Sequence, residues 1–333
     1  MAEARFGTLP SSMTPPKVKA VKPKKEPKPR RRFGIGEWYG KSFASLTAEE
    51  RRFYASIQSL PKDEKPKQSC PFKLGNPVCT KAGGICSLRL YEESPATGEV
   101  KIAPERSTLR VTCPYRFEQD GTVYGWIGSV ILGDANAIPT GQTPFLQPVE
   151  TMGEVDPGTR REVGRIDNVL VIPNTDPFQW CPVEIQAVYF SGEKMSLDFN
   201  NIFEFAGNGL PFPVKNRRPD YRSSGPKRLL PQLETKVPTL SMWGKKTAVV
   251  IDEDFFNQLG KMKAANDITN SEVLWFVVRF EEQDSGFVLR AKGEPFMTKL
   301  KEAMDALVAA LPLPRPKFEA MVREKLQKVL ANS

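Results

Sequence analysis

The chain has 333 residues, 40% hydrophobic and 26% charged, enough for one large domain or two moderate ones around a sizeable core. Histidine is absent, which excludes Ser-His-Asp and Cys-His catalysis, histidine general bases and histidine metal ligands. The net charge is +9, but nine Lys/Arg against one acid between Lys17 and Arg32 supply +8 of it, so the rest of the chain is almost neutral.

Residues 1–32 are rich in Pro, Lys and Arg and poor in apolar side chains, the composition of a disordered basic arm. It is either a phosphate-gripping arm or a solvated tail. Order is expected from Phe33, with Trp38, Tyr39 and Phe43 as first anchors. Thr47 and Glu50 form a T-x-x-E capping box that predicts a helix ending near Leu60, before Pro61. Strands are predicted at 86–91 and 107–112, and a further strand region at 122–132 around Val123, Tyr124, Trp126 and Ile127. Two β-rich runs follow, Val163–Ile172 and Gln179–Phe190, separated by the turn formers Pro173 to Pro177; they read as a hairpin whose second strand ends at Gly192. Residues 207–245 hold many turn formers. Beyond them come a strand at Thr247–Ile251, a short helix near Asp254–Met262 and a buried strand at Val273–Phe280. Apolar residues at helical spacing predict two last helices, Met297 to Leu311 and Phe318 to Val329, separated by Pro312, Pro314 and Pro316. No apolar run is long enough to span a membrane, and no signal-peptide core is visible, so a cytoplasmic protein without a membrane partner is expected.

Without histidine, hydrolysis of a phosphodiester calls for carboxylates and a bound metal. Magnesium takes oxygen ligands, commonly one or two carboxylates completed by water and phosphate. Asp167 lies in the first strand of the hairpin and Glu184 in the second, each inside an apolar run where a bare charge is costly. The strand period of two places Glu184 and Gln186 on one face and Val183, Ile185 and Ala187 on the other. Asp167, Glu184 and the Ile185 carbonyl are candidate ligands of Mg²⁺, with Gln186 positioned to orient water or phosphate. An Asp followed by E-x-Q is a short pattern, and two half-exposed strands with polar outer faces would carry it equally well.

Cys70, Cys79, Cys86 and Cys113 are spaced C-x8-C-x6-C-x26-C among Pro71, Gly75, Pro77, Gly83 and Gly84. Four thiolates suit a tetrahedral zinc or iron site, structural because no position stays open; buried free thiols or disulfides are the alternatives. Cys181 falls on the face opposite Glu184 and reads as a packed thiol. Arg217, Arg218, Arg222, Ser223, Ser224, Lys227 and Arg228 form a basic patch suited to phosphate oxygens and guanine edges, or else a solvated loop.

Together these pieces resemble the NotI-type restriction endonucleases. The resemblance rests on Cys-Pro-Phe at Cys70, the next three cysteines, V-E-I-Q-x3-F-S-G from Val183 to Gly192, and Ser-Gly-Pro at Ser224, over roughly residues 35–250. It implies an α/β chain with a PD-(D/E)XK nuclease core, a mixed central sheet flanked by helices. The core would span 121–333 with its C-terminal helices, and 33–120 would be an N-terminal four-cysteine metal-binding region. It implies a type II restriction endonuclease, a homodimer that cuts both strands of double-stranded DNA with Mg²⁺ and works beside a cognate DNA methyltransferase. It further implies structural iron on the four cysteines and the catalytic set Asp167, Glu184 and Gln186, with Glu150, Glu154 or Glu162 available as a further acid. A non-catalytic DNA-binding protein and a repair nuclease are the rival readings.

Overall fold

The computed structural model describes residues 28–104, 108–146, 163–283, 286–309 and 313–331. Most of the basic arm, together with Glu150, Glu154 and Glu162, lies outside the described residues.

The first sheet is built from β1 (Arg30–Trp38), β2 (Lys41–Ser42), β3 (Ile85–Glu93), β4 (Val100–Ile102) and β5 (Arg110–Val111), in the order β2-β1-β3-β4 with β5 also pairing β3. Helix α1 (Ala48–Ser59) covers it, and its predicted capping box is present: Thr47 and Glu50 each satisfy the other's backbone N–H. The core of this layer gathers Ile35, Trp38, Tyr54, Leu88 and Tyr91. Strand β1 begins at Arg30, three residues before Phe33. Arg30 and Arg31 extend β1 because Glu93 and Glu92 stand opposite them in register, and the pairs close at 2.7 and 3.1 Å. The strand expected at 107–112 shrinks to β5.

Helix α2 (Thr122–Ile127) stands where a strand was expected, and a wider turn continues it to Leu132. Val123, Tyr124 and Ile127 all face the core, so one helical side serves where β propensity pointed to a strand. Next come β6 (Ile138–Pro139), β7 (Thr143–Leu146), β8 (Val163–Ile166), β9 (Asn168–Ile172), β10 (Gln179–Ile185) and β11 (Phe190–Gly192). Helix α3 (Ser196–Glu204) packs against α1, β12 (Arg217–Pro219) pairs β11, and α4 (Tyr221–Ser224) leads into α5 (Leu230–Met242). The remaining elements are β13 (Thr247–Asp252), α6 (Glu253–Phe256), β14 (Val273–Gln283), β15 (Gly286–Ala291), β16 (Phe296–Thr298), α7 (Leu300–Val308) and α8 (Arg315–Ala331).

The second sheet is mixed, in the order β15-β14-β13-β10-β9-β6, with β16 also on β14. The hairpin of β9 and β10 forms as expected, antiparallel from Gln179↔Ile172 to Val183↔Asn168. Strand β13 runs parallel to both β10 and β14. Covered on both faces, it is buried along its length and reads as the unbroken run Thr-Ala-Val-Val-Ile. One face packs on α2 through Val183, Val250, Phe276 and Ile127. The other packs on α5 and α7 through Val249, Ile251, Leu233, Val237 and Leu307. The protein is therefore a mixed α/β chain whose larger sheet has helices on both sides.

Three expectations near the C-terminal half change. The second hairpin strand stops at Ile185, because the chain turns out of the sheet before β11. The helix after β13 is a single turn, α6. Met297 belongs to β16, and α7 starts only at Leu300. Helix α5 was not foreseen in the turn-former-rich stretch 207–245; its Pro231 sits in the first turn, where the missing N–H costs little.

Candidate active site

The centre forms where the larger sheet forks. Up to Asn168, β9 pairs β10; before it, β8 peels away to pair β7. Asp167 is the residue between the two strands. Its carboxylate accepts the Ile185 backbone N–H at 3.0 Å, so a side chain closes the ladder where the backbone has left it. Burial raises the Asp167 pKa against that hydrogen bond and the nearby Lys236 charge.

Glu184 is 1% exposed on β10, on the α5 side of the sheet, while Val183, Ile185, Ala187 and Cys181 face the α2 side, as the period of two requires. Its Oε1 accepts from Lys236 Nζ at 2.7 Å. Its Oε2 is buried and has no hydrogen-bond partner among the described residues. Burial pushes the Glu184 pKa up to about 7; Lys236 pulls it down, and the Asp167 charge adds to the rise. Gln186 follows the last paired residue of β10 and keeps a backbone bond to Val250 at 3.0 Å, while its side-chain amide donates to the Ala187 carbonyl.

An open groove of about 960 Å³ runs from the loop between Cys70 and Cys79 to Asp167, Asn168 and Ile185. Glu118 lines it too, half-buried, with its pKa raised by burial. The Tyr124 hydroxyl donates to Glu118 and accepts from Asn168 Nδ2 at 2.8 Å, which links Glu118 to the residue after Asp167. Neither Glu118 nor Lys236 was expected. The signal for Lys236 was present as Leu229, Leu233, Val237 and Leu240 at helical spacing, which puts Lys236 beside that buried stripe. Glu118 carries no comparable signal.

Two buried carboxylates, the charge of one raising the pKa of the other, with one bare oxygen on Glu184, are donors suited to a hard cation such as Mg²⁺. The four cysteines come out differently. Cys70 and Cys86 are buried around Phe72, with Cys79 packed against them, and the Cys113 thiol lies near Cys70 and Cys79. All are free, and burial raises the thiol pKa values of Cys79, Cys86 and Cys113. Among the described residues, however, no group of three or more Cys, Asp or Glu is arranged to hold a metal ion. The same holds for the acids, and the thiols are placed as a packed cluster of free cysteines.

The basic patch divides. Arg218, Arg222, Lys227 and Arg228 are exposed, with Arg228 over the Tyr189 ring at 4.6 Å, and Ser223 is partly exposed. Arg217 and Ser224 correct the expectation. Arg217 is buried in an ion pair with Asp198 and donates to the carbonyls of Glu193 and Lys194. The Ser224 hydroxyl is buried between the Tyr189 N–H and the Asp220 carbonyl. Both hold the turn that displays the others.

A mixed α/β fold with a forked sheet, coupled acids and an open groove is compatible with a nuclease. The family model of restriction endonuclease NotI matches residues 57–296, most of the chain, and the chain belongs to that family. It is accordingly a sequence-specific type II restriction endonuclease, a deoxyribonuclease. No curated protein matches it significantly. Among the described residues no helix is long and apolar enough to cross a membrane.

Proposed function

We propose that the fork of the larger sheet is the cutting centre of a PD-(D/E)XK nuclease, with Asp167 and Glu184 as its acids and Gln186 beside them. The observation that carries this reading is the bare, buried Glu184 Oε2 next to Asp167. A protein does not ordinarily leave a carboxylate oxygen dry and unpaired, because desolvation is costly. A cation taken up from solution resolves that cost.

Asp167, Glu184 and the Ile185 carbonyl would hold Mg²⁺. When bound, it would supply Lewis-acid stabilisation of phosphate charge and a more acidic water. The chain's own residues do the rest. The Asp167–Ile185 hydrogen bond fixes the fork, and Ile185 and Asn168 line the groove that meets it. Gln186 would orient water or phosphate, as a neutral group in place of a cation. The exposed Arg218, Arg222, Lys227 and Arg228, with Ser223, would contact the DNA backbone or base edges.

Each chain has one such fork among the described residues, so cutting both strands of a symmetric site calls for two chains, and a homodimer follows. The same reading places the enzyme in the cytoplasm with a cognate DNA methyltransferase that protects the host site. A structural iron or zinc would take Cys70, Cys79, Cys86 and Cys113, which lie near one another as free thiols; elemental analysis of the purified protein decides it.

The test is digestion of a long viral DNA in Mg²⁺. Discrete fragments are expected, none without a divalent cation, and none from Glu184→Ala at any time point. Cleavage by Glu184→Ala at the native rate would move the centre elsewhere.

A further inference from the structure

We propose that Lys236 is the positioning residue of the cutting centre, supplying from helix α5 the fixed positive charge that the Glu-Ile-Gln strand lacks. The inference rests on the reading of Asp167 and Glu184 as that centre, and goes beyond it by assigning a role to a residue on a separate element.

The ammonium is buried, with the side chain 4% exposed. It has three donors and three acceptors: Glu184 Oε1 at 2.7 Å, the Arg165 carbonyl, and Gln232 Oε1 at 3.3 Å. None is left for a substrate, so Lys236 acts through its partners. Those partners are informative. Glu184 is on β10 and Arg165 on β8, the strand that peels away at the fork, two residues before Asp167. One ammonium therefore ties β10, which carries Glu184, to β8, the strand that ends just before Asp167. It also occupies one oxygen of Glu184 and leaves the other bare.

A purely structural role accounts poorly for this. The α5 neighbours Leu233, Val237 and Leu240 are fully buried and apolar. Replacing a buried ion pair by packed apolar side chains is often neutral or stabilising, so the charge is not needed for packing. Outer partners that fix a ligand's orientation commonly change metal affinity or activity by about 10–100-fold when removed.

The experiment compares Lys236→Met, which keeps the stem and loses the charge, with Lys236→Arg and Glu184→Gln in the full-length protein. Three quantities are read: thermal melting, cleavage rate at saturating Mg²⁺, and binding of Mn²⁺ by the free protein, from loss of the free-ion paramagnetic resonance signal. Lys236→Met is expected to bind Mn²⁺ about tenfold or more weakly and to cleave about a hundredfold more slowly per folded molecule. Lys236→Arg should fall between it and the native protein, since a planar guanidinium keeps the charge but cannot reproduce all three bonds. Native Mn²⁺ binding and cleavage in folded Lys236→Met would overturn the inference. Should that variant not fold, Lys236→Arg carries the test, and native metal binding in it overturns the inference equally. Glu184→Gln separates the two levels. If it cleaves normally, the reading of the centre has failed; if it is inactive while Lys236→Met is native, only the role of Lys236 has failed.

Discussion

Two buried ion pairs in this protein look alike until their spare atoms are counted. Glu37 and Arg116 are 1% and 0% exposed, and Glu184 and Lys236 are 1% and 4%. Arg116 Nε reaches both oxygens of Glu37 at 3.0 and 2.9 Å, and Ser87 adds a further donor at 2.9 Å. The rest of the Arg116 guanidinium donates to Gln119 and to the Phe287 carbonyl on β15, and lies against the rings of Phe72 and Phe280. That pair is saturated and joins the first sheet to the second. The Glu184 pair is not saturated: one oxygen is held and the other has no partner among the described residues. Burial of charge alone does not mark a functional site. The Glu184 pair differs in that its acid is held on one side and left open on the other, at the fork beside Asp167.

The comparison is broken or sharpened most strongly by removing charge from each acid pair. Glu184→Gln is isosteric and should cut cleavage by about a thousandfold or more, several kcal/mol of lost charge stabilisation, with a loss of melting temperature limited by the hydrogen bond the amide oxygen can still accept from buried Lys236. Arg116→Ala should do the reverse, costing about 3–5 kcal/mol of stability in denaturant titration because Glu37 is left buried and unpaired. Cleavage per folded molecule should survive. An inactive but fully stable Arg116→Ala would erase the distinction between the pairs.

The pH dependence follows next in size. Glu184 must be ionised to serve as a ligand, and its pKa is held near 7 by burial and by Asp167. At limiting Mg²⁺ the single-turnover rate should therefore rise up to about tenfold per pH unit towards neutrality and level off above it. A flat profile from about pH 5.5 to 8 would show that Glu184 is already ionised or is not required. Asp252 offers a stability counterpart. It is fully buried at the start of α6, caps the Phe255 N–H at 2.7 Å, and is pushed to about 7, first by burial and then by the neighbouring Asp254 charge. A raised folded-state pKa means that the folded protein holds the proton more tightly than the unfolded chain. Stability is then greatest below the ordinary aspartate range and is lost as pH rises through about 7. Asp252→Asn keeps the cap and should flatten that slope, gaining on the order of a few kcal/mol at neutral pH. Calorimetric melts of both proteins across the window check it.

The legibility of the molecule divides along the same line. The hairpin, the opposite faces of Glu184 and Ile185, and the Thr47 cap are local matters of period and spacing, and all were visible in the sequence. The fork at Asp167 was not, because it depends on β8 leaving β9 for β7. Lys236 was hidden among the turn formers of 207–245, although the apolar spacing around it was helical. Val123 to Leu132 went wrong for the opposite reason: β-branched and aromatic residues suggested a strand, and packing against the sheet chose a helix. Arg217 and Ser224 looked like DNA contacts because composition cannot tell an exposed arginine from one neutralised by Asp198 nineteen residues away.

That last distinction yields the smallest and most discriminating effects. Among the described residues no buried partner fixes exposed Arg218 or Lys227, and if each meets one phosphate, its removal should lower the slope of log binding against log salt by about 0.9. Binding in Ca²⁺, to prevent cutting, should weaken about equally on cognate and unrelated duplexes. Arg222 and Arg228 at the same turn are the positions where a base contact would show instead, as a loss of about 1–3 kcal/mol on the cognate site alone. Arg217→Ala should follow neither pattern. Its guanidinium holds Asp198 and two backbone carbonyls, so its loss should lower melting and loosen the whole turn. Binding would then fall through the turn's disorder, in proportion to the stability lost, with the salt slope nearly intact. A salt slope reduced by one unit in a stable Arg217→Ala would return that residue to the DNA surface and undo the division between the arginines that hold the turn and those it displays.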